Sequence, residues 1–397
     1  MPLECCPCRR TIAIVVLDKL NEVSRLKIGK IVKPEQLFDH RTFESGSKNN
    51  WLLIRLVAAI AVIYGHSFGM FPQIGHEDIT IKWLAHGITY SGQIAVIVFF
   101  FLSGAVVSGS LLKSRPLAFI VKRLGRVLPA LIICLVLTSI AVIAVFPDVL
   151  LVDLGKYFVL NILNTINIGQ FANIDSLLIW DVPGAFEQNQ YHALNGSLWT
   201  LPQEIRLYAL IFLFSLLSSK LQRKQFITLN LIFILLLLRA PELVPLIGSN
   251  QALLGNPNAV INSVFFLLGS IFFLLEIDKF KSRFLFGSSL FIYSIWLLFQ
   301  DTHLLFFFAI VLFVLGFAKI NLPKFMHLKG DYSYGVYLYG WPVGQFVAYF
   351  YPTLIPEIAF LIITLISTVI AIFSWSLIEL KVLNKIRSVE GIRNEGK

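Results

Sequence analysis

The sequence predicts an all-α integral membrane protein, a polytopic bundle of about ten transmembrane helices with its N- and C-termini in the cytoplasm. Three observations lead there. The chain is 57% hydrophobic and only 14% charged, with a mean hydropathy of +0.77, which excludes an ordinary soluble globule. Its 35 phenylalanines fall in long apolar runs, as suits a chain whose solvent is lipid. Lysine and arginine gather in alternate loops between those runs, the signature of the positive-inside rule.

The expected spans lie near 51–71, 91–112, 125–146, 198–218, 226–239, 255–275, 284–300, 304–319, 332–350 and 355–379. Each is long enough, or nearly so, to cross about 30 Å of hydrocarbon. The segment 226–239 is short and bounded by Pro241. The segment 150–168 carries Asp153, Lys156 and several asparagines, so it reads as an interfacial amphipathic helix rather than a span. Loops assigned to the cytoplasm hold Lys113, Arg115, Lys122 and Arg123, then Lys220, Arg223 and Lys224, then Lys279, Lys281 and Arg283, then Lys324 and Lys329. The opposing loops carry few cations: Lys82, Lys156 and Arg239.

That alternation divides the chain into a cytoplasmic leader (1–50), a membrane domain (51–379) with one large outer loop (147–197), and a basic cytoplasmic tail (380–397). It also accounts for the net charge of +10 as topology marking rather than nucleic-acid binding. In the leader, TIAIVVL is too short for a cleavable signal, and Cys5, Cys6 and Cys8 have no second ligand pair at metal spacing. No metal is expected.

Polar residues inside apolar helices mark the candidate site. Arg55 and His66 stand eleven residues apart, so they share one helix face about 16 Å apart along its axis. Snorkelling of Arg55 and a satisfied core partner for His66 would be the purely structural account. Arg123 and Arg126 are helical neighbours with Lys122 beside them; they form either a fork for a phosphate or a positive-inside anchor. Glu204 lies about 9 Å into the fourth span, on the face of Tyr208 and at the same nominal depth as His66. Gly196 and Pro202 around Trp199 suggest an irregular helix entry.

Other features are read more plainly. Ser103 and Gly104 are small residues suited to close helix packing, and nothing near Ser103 in sequence supplies a base. Ser333, Tyr337 and Trp341 recur at four-residue spacing, as packing or as the wall of a passage. The outer loop, with Asp148, Asp153, Asp175, Asp181, Glu187, Trp180, Tyr191 and His192, suits a sugar or forms a lid without a ligand.

Arg55 with His66, FFFLSG in span two, RLGR in span three, LWTLPQE opening span four and SYGVYLYGWP in span nine together resemble the integral-membrane acyltransferase-3 family, from about Phe43 to Ile386. The family's Arg-x10-His element falls on Arg55 and His66, its Arg-x-x-Arg element on Arg123 and Arg126, and its tryptophan-to-glutamate element on Trp199 and Glu204. The chain departs from the pattern at Gly340, where a histidine is usual, and after Glu379, where Leu380 replaces proline.

The resemblance implies a bacterial inner-membrane enzyme that transfers an acyl group, often acetyl, from cytoplasmic acyl-coenzyme A to an extracytoplasmic carbohydrate. It implies donor binding by Arg55, Arg123 and Arg126, and catalysis by His66 as general base or acyl carrier. Glu204 would orient His66 or bind the acceptor, with Trp199, Tyr208 and Tyr337 contacting the acceptor or shaping the site. No hydrolase-like domain is expected after span ten. The competing class is a transporter or flippase, for which intramembrane Arg, His and Glu are equally natural.

The topology is directly testable. Single cysteines placed in the 113–122 loop of a cysteine-free protein should react with a membrane-impermeant maleimide only in inverted vesicles. Labelling in right-side-out vesicles would refute the orientation.

Overall fold

A computed structural model describes residues 50–113, 116–166, 180–217, 223–239, 257–275, 280–299, 303–323 and 326–395. The leader up to residue 49 and the stretch 167–179, with Asp175, lie outside the described residues. The helices are α1 (Trp51–Met70), α2 (Ser91–Lys113), α3 (Pro116–Val145), α4 (Leu151–Thr165), α5 (Thr200–Leu217) and α6 (Arg223–Leu238). They continue as α7 (Pro257–Leu274), α8 (Ser282–Phe299), α9 (His303–Phe317), α10 (Ser333–Phe350), α11 (Pro356–Ser374) and α12 (Leu380–Glu395).

Each expected span overlaps one of these helices, though their bounds differ by up to nine residues. Among the described residues, six are long and apolar enough on their own to cross a membrane: Trp51–Met70, Ser91–Leu111, Ala118–Val145, Pro257–Leu274, Ser282–Phe299 and Pro356–Ile386. Lys224–Leu238 and His303–Phe317 are apolar but shorter. Helices α5 and α10 carry polar side chains inward: Gln203 on α5 and Ser333 and Gln345 on α10 are buried. The segment read as interfacial forms α4, whose buried stripe is Leu154, Tyr157, Leu160, Asn161 and Thr165. The basic tail continues as α12, and its Leu383 and Ile386 reach a central cavity.

In lipid, helices associate through close packing and internal hydrogen bonds rather than by excluding water. The α2–α7 pair shows both. A Cβ on Gly104 would collide with the Phe266 carbonyl, and one on Gly269 with the Phe101 carbonyl, so each glycine lets the other helix's backbone approach. Ser108 Oγ donates to Ser270 Oγ at 2.7 Å, and Gln93 Nε2 to Asn262 Oδ1 at 3.3 Å. Helices α8 and α9 pair as a hairpin at the periphery, while α1, α2, α3, α5 and α10 surround the cavity.

Helix α10 organises the centre. Pro342 has no N–H, so the Leu338 carbonyl loses its helical donor. Asn195 Nδ2 supplies a replacement at 3.0 Å. That bond is one of a series by which the loop before α5 runs along α10. Gln345 Nε2 donates to the Tyr191 and Ala193 carbonyls at 2.7 and 2.6 Å. Trp341 Nε1 donates to the Ala193 carbonyl at 2.9 Å, and Tyr337 OH to the Ser197 carbonyl at 2.7 Å. A single 3₁₀ turn (Gly196–Trp199) then leads into α5, which therefore starts inside the bundle.

Gly104→Val should cost several kcal/mol, because overpacking here meets backbone rather than a flexible side chain. The measurement is the loss of monodisperse protein in detergent, with Gly155→Val, at a glycine facing open space, as the control.

Candidate active site

A cavity of about 380 Å³ opens among α1, α2, α3, α5 and α10. Arg55, Arg123, Arg126, Glu204, Tyr208 and Tyr337, drawn from four helices, all line it. Lys122 and Ser103 also face it. His66 and Trp199 are not among its lining residues.

At one end, Asp331 binds two of the cations. Its Oδ2 accepts from Arg126 Nη2 at 2.5 Å and lies 3.3 Å from Arg55 Nε. Its Oδ1 accepts from Ser333 Oγ at 2.5 Å, and Ser333 Oγ in turn accepts from Arg55 Nε at 3.3 Å. Burial alone would raise the Asp331 pKa, but Arg126, Arg55 and the Ser333 bonds outweigh it and hold the carboxyl below its ordinary range. The other terminal nitrogen of Arg126 lies 3.8 Å from Glu379 Oε2 in the π-helical turn Trp375–Glu379. Its guanidinium also rests over the rings of Tyr334 and Trp375, at 5.7 and 5.3 Å. Arg126 is thereby tied to α10 and to the end of α11.

Arg123, one turn earlier, has a different environment. Its guanidinium sits over Phe119 and Tyr208 at 5.5 and 5.7 Å, and its Nε is buried without a hydrogen-bond partner. An orphaned buried donor in a cavity is the condition that an incoming anion relieves. The two arginines of RLGR therefore do not form one fork. Arg126 holds helices together, whereas Arg123 faces the cavity with donor capacity in hand.

Glu204 lies beside Arg123. It accepts from Ser103 Oγ at 3.0 Å and from Tyr208 OH, and Ser103 Oγ meets Tyr208 OH at 3.1 Å. The helical spacing of Glu204 and Tyr208 is realised as this contact. Ser103, read from sequence as a packing residue, instead faces the cavity, while Gly104 makes the close approach.

His66 stands elsewhere. Its ring meets that of Trp341 edge-to-face at 4.8 Å, and among the described residues it has no hydrogen-bond partner. Arg55 contacts Ser333 at the start of α10 and His66 contacts Trp341, eight residues further along, about 12 Å of helix. Glu204 belongs to the arginine end of this column and makes no hydrogen bond with His66 among the described residues. The depth read from sequence placed both at one level because it started α5 at the membrane surface. Between the two ends, Tyr337 OH bonds Thr200 Oγ1 at 2.7 Å, and both residues line the cavity.

All but Leu383 and Ile386 of the residues that line this cavity, with its basic, acidic and aromatic walls, belong to the part of the chain, residues 49–378, that matches the acyltransferase-3 family, an acyltransferase domain. The chain belongs to that family. It is a multi-pass membrane acyltransferase. An O-acetyl transferase of Shigella phage Sf6 is 26% identical over 345 residues, covering 83% of this chain and 95% of that protein. Nodulation protein 10 of Rhizobium leguminosarum bv. viciae is 28% identical over 171 residues, 41% of this chain and 43% of the relative. No solved structure matches the chain.

Asp331 escaped the sequence reading of the acyltransferase site, although a signal was present: a carboxylate two residues before α10, at the end of the bundle where Arg55 and Arg126 enter. Asp331→Ala should destabilise the protein by up to about 3–5 kcal/mol, because it removes the carboxylate shared by two part-buried guanidiniums and leaves Arg126 only the more distant Glu379. Unfolding in detergent measures this. With a lowered pKa in the folded state, the Asp331 contribution is complete above the ordinary aspartate pKa and is lost as pH falls through the lowered value.

Proposed function

We propose that this acyltransferase is an O-acetyltransferase of a bacterial inner membrane, with ten spans and both termini in the cytoplasm. It takes the acyl group from cytoplasmic acyl-coenzyme A, of which acetyl-coenzyme A is the expected form. It delivers that group to a hydroxyl of an extracytoplasmic carbohydrate such as a polysaccharide or lipopolysaccharide O-antigen. The observation that carries the reading is the polar column along α10, with an anion-seeking Arg123 near one end and His66 toward the other. The named activity of the phage relative supports the acetyl group.

In this reading Arg123 grips a donor phosphate, with Lys122 beside it, while Arg55 and Arg126, held by Asp331, frame that end of the donor site. Glu204, Ser103 and Tyr208 shape the cavity through which the thioester arm passes. Beyond Tyr337 the thioester carbonyl meets the acceptor. As the acceptor oxygen bonds to that carbon, its proton passes to neutral His66. The carbon–sulfur bond breaks, and the proton returns from His66 to the departing thiolate. The bilayer separates donor from acceptor, so the column serves as both binding site and passage.

Arg123→Ala should weaken acetyl-coenzyme A binding by roughly ten- to hundredfold, the loss of one charge-assisted contact of about 1.5–3 kcal/mol. His66→Ala should leave donor binding intact and lower transfer by about 10²–10⁴-fold. Radiolabelled acetyl-coenzyme A supplied to inverted vesicles tests the whole reading. Label on the luminal glycan supports a transferase, whereas no label with intact flux of another solute indicates a carrier. Near-parental turnover in His66→Gln would remove His66 from the chemistry.

A further inference from the structure

The proposed reaction needs an acceptor site next to His66, and the residues around that imidazole form a collar of aromatic rings. Trp341 from α10 meets the His66 ring at 4.8 Å, and Tyr191 from the outer loop packs on Trp341 at 5.4 Å. Two glycines on α1 leave room for the collar. A Cβ on Gly65, the residue before His66, would come within 2.7 Å of the Tyr90 ring. One on Gly69, a turn beyond His66, would come within 2.9 Å of the Tyr191 hydroxyl. Trp341 is itself enclosed: Gly196 lies against its indole and only 9% of it is exposed. Tyr191 is 41% exposed, so its ring is the part of the collar that a ligand can reach.

The loop that carries Tyr191 is anchored. Gln345, fully buried, donates to the Tyr191 and Ala193 carbonyls and accepts from Asn189 Nδ2 at 3.0 Å. A rigidly held, exposed aromatic beside a base without a hydrogen-bond partner is the arrangement that a pyranose requires. The apolar C–H face of the sugar lies on the ring, and a hydroxyl at its edge is directed to the imidazole.

We propose that Tyr191, backed by Trp341 and flanked by Tyr90, is the acceptor subsite of this enzyme and that it binds a pyranose ring by stacking. The proposal rests on the O-acetyltransferase reading above, and it adds a residue that selects the acceptor without touching the donor. The ring face does the work, so Tyr191→Phe should keep function and Tyr191→Ala should lose it. Gly69→Ala, which displaces the Tyr191 ring from α1, should resemble Tyr191→Ala.

The test uses purified full-length enzyme in nanodiscs with acetyl-coenzyme A and two kinds of acceptor: a panel of methyl pyranosides, and 1,2-propanediol, which has hydroxyls but no ring face. For the best pyranoside, Tyr191→Ala and Gly69→Ala should raise KM at least tenfold. Acetyl-coenzyme A affinity and transfer to the diol should be unchanged, and Tyr191→Phe should match the parent. Parental pyranoside KM in Tyr191→Ala, or an equal loss toward the diol, overturns the subsite while leaving the transferase reading in place. A parent that binds acetyl-coenzyme A but acetylates no pyranoside overturns the carbohydrate reading itself, and the subsite with it.

Discussion

The attachment of Arg126 and Arg55 to Asp331 is the interaction on which the centre of this protein depends. A guanidinium inside a membrane protein is costly unless it is paired or hydrogen-bonded, and two of them meet here. One carboxylate placed just before α10 answers both, with Ser333 completing its hydrogen bonds. Because Arg55 belongs to α1 and Arg126 to α3, this single group sets how both helices meet α10. Glu379 extends the tie toward the end of α11. Once Arg126 is committed in this way, Arg123, which also lines the cavity, is the arginine of its pair whose Nε lacks a partner.

A second constraint follows from the missing hydrogen bond at Pro342. In lipid an unsatisfied backbone carbonyl costs several kcal/mol, so the segment that compensates it is held firmly. Asn195 fulfils that need at Leu338, and the residues on either side of it follow α10 by bonding in turn to Gln345, Trp341 and Tyr337. Irregular backbone is tolerated at this depth because it is buried in protein. The consequence for function is positional. The descent carries the chain past Thr200, midway along the column, to Glu204 at the arginine end and leaves Tyr191 on the side of His66.

The two ends of the column are chemically distinct for physical reasons. The arginine end concentrates guanidiniums and carboxylates, whose mutual attraction is strong where water is scarce. The His66 end is aromatic, with an imidazole that no neighbouring carboxylate holds protonated among the described residues. A neutral imidazole is the form able to accept a proton, and a charged cavity wall is the form able to hold a phosphate. Their separation along one helix is what the proposed reaction, with a donor and an acceptor on opposite sides of the bilayer, requires.

Much of this was legible in the residues alone. Helical periodicity placed Arg55 and His66 on one face, and both indeed contact α10; it likewise paired Glu204 with Tyr208. Composition and loop charge identified a helical membrane protein, and the ordered motifs identified its family. Periodicity describes one helix at a time, so it could not show that Asp331 joins α1 to α3, that Ser103 meets Glu204, or that Arg123 and Arg126 have separate partners. It also assigned Glu204 the depth of His66, because a count of residues presumes that a helix begins at the membrane surface. The sequence by itself determined which residues are costly to bury and which faces they share. Only the tertiary structure decided which charges neutralise one another and where α5 begins, because both are set by contacts between segments far apart in the chain.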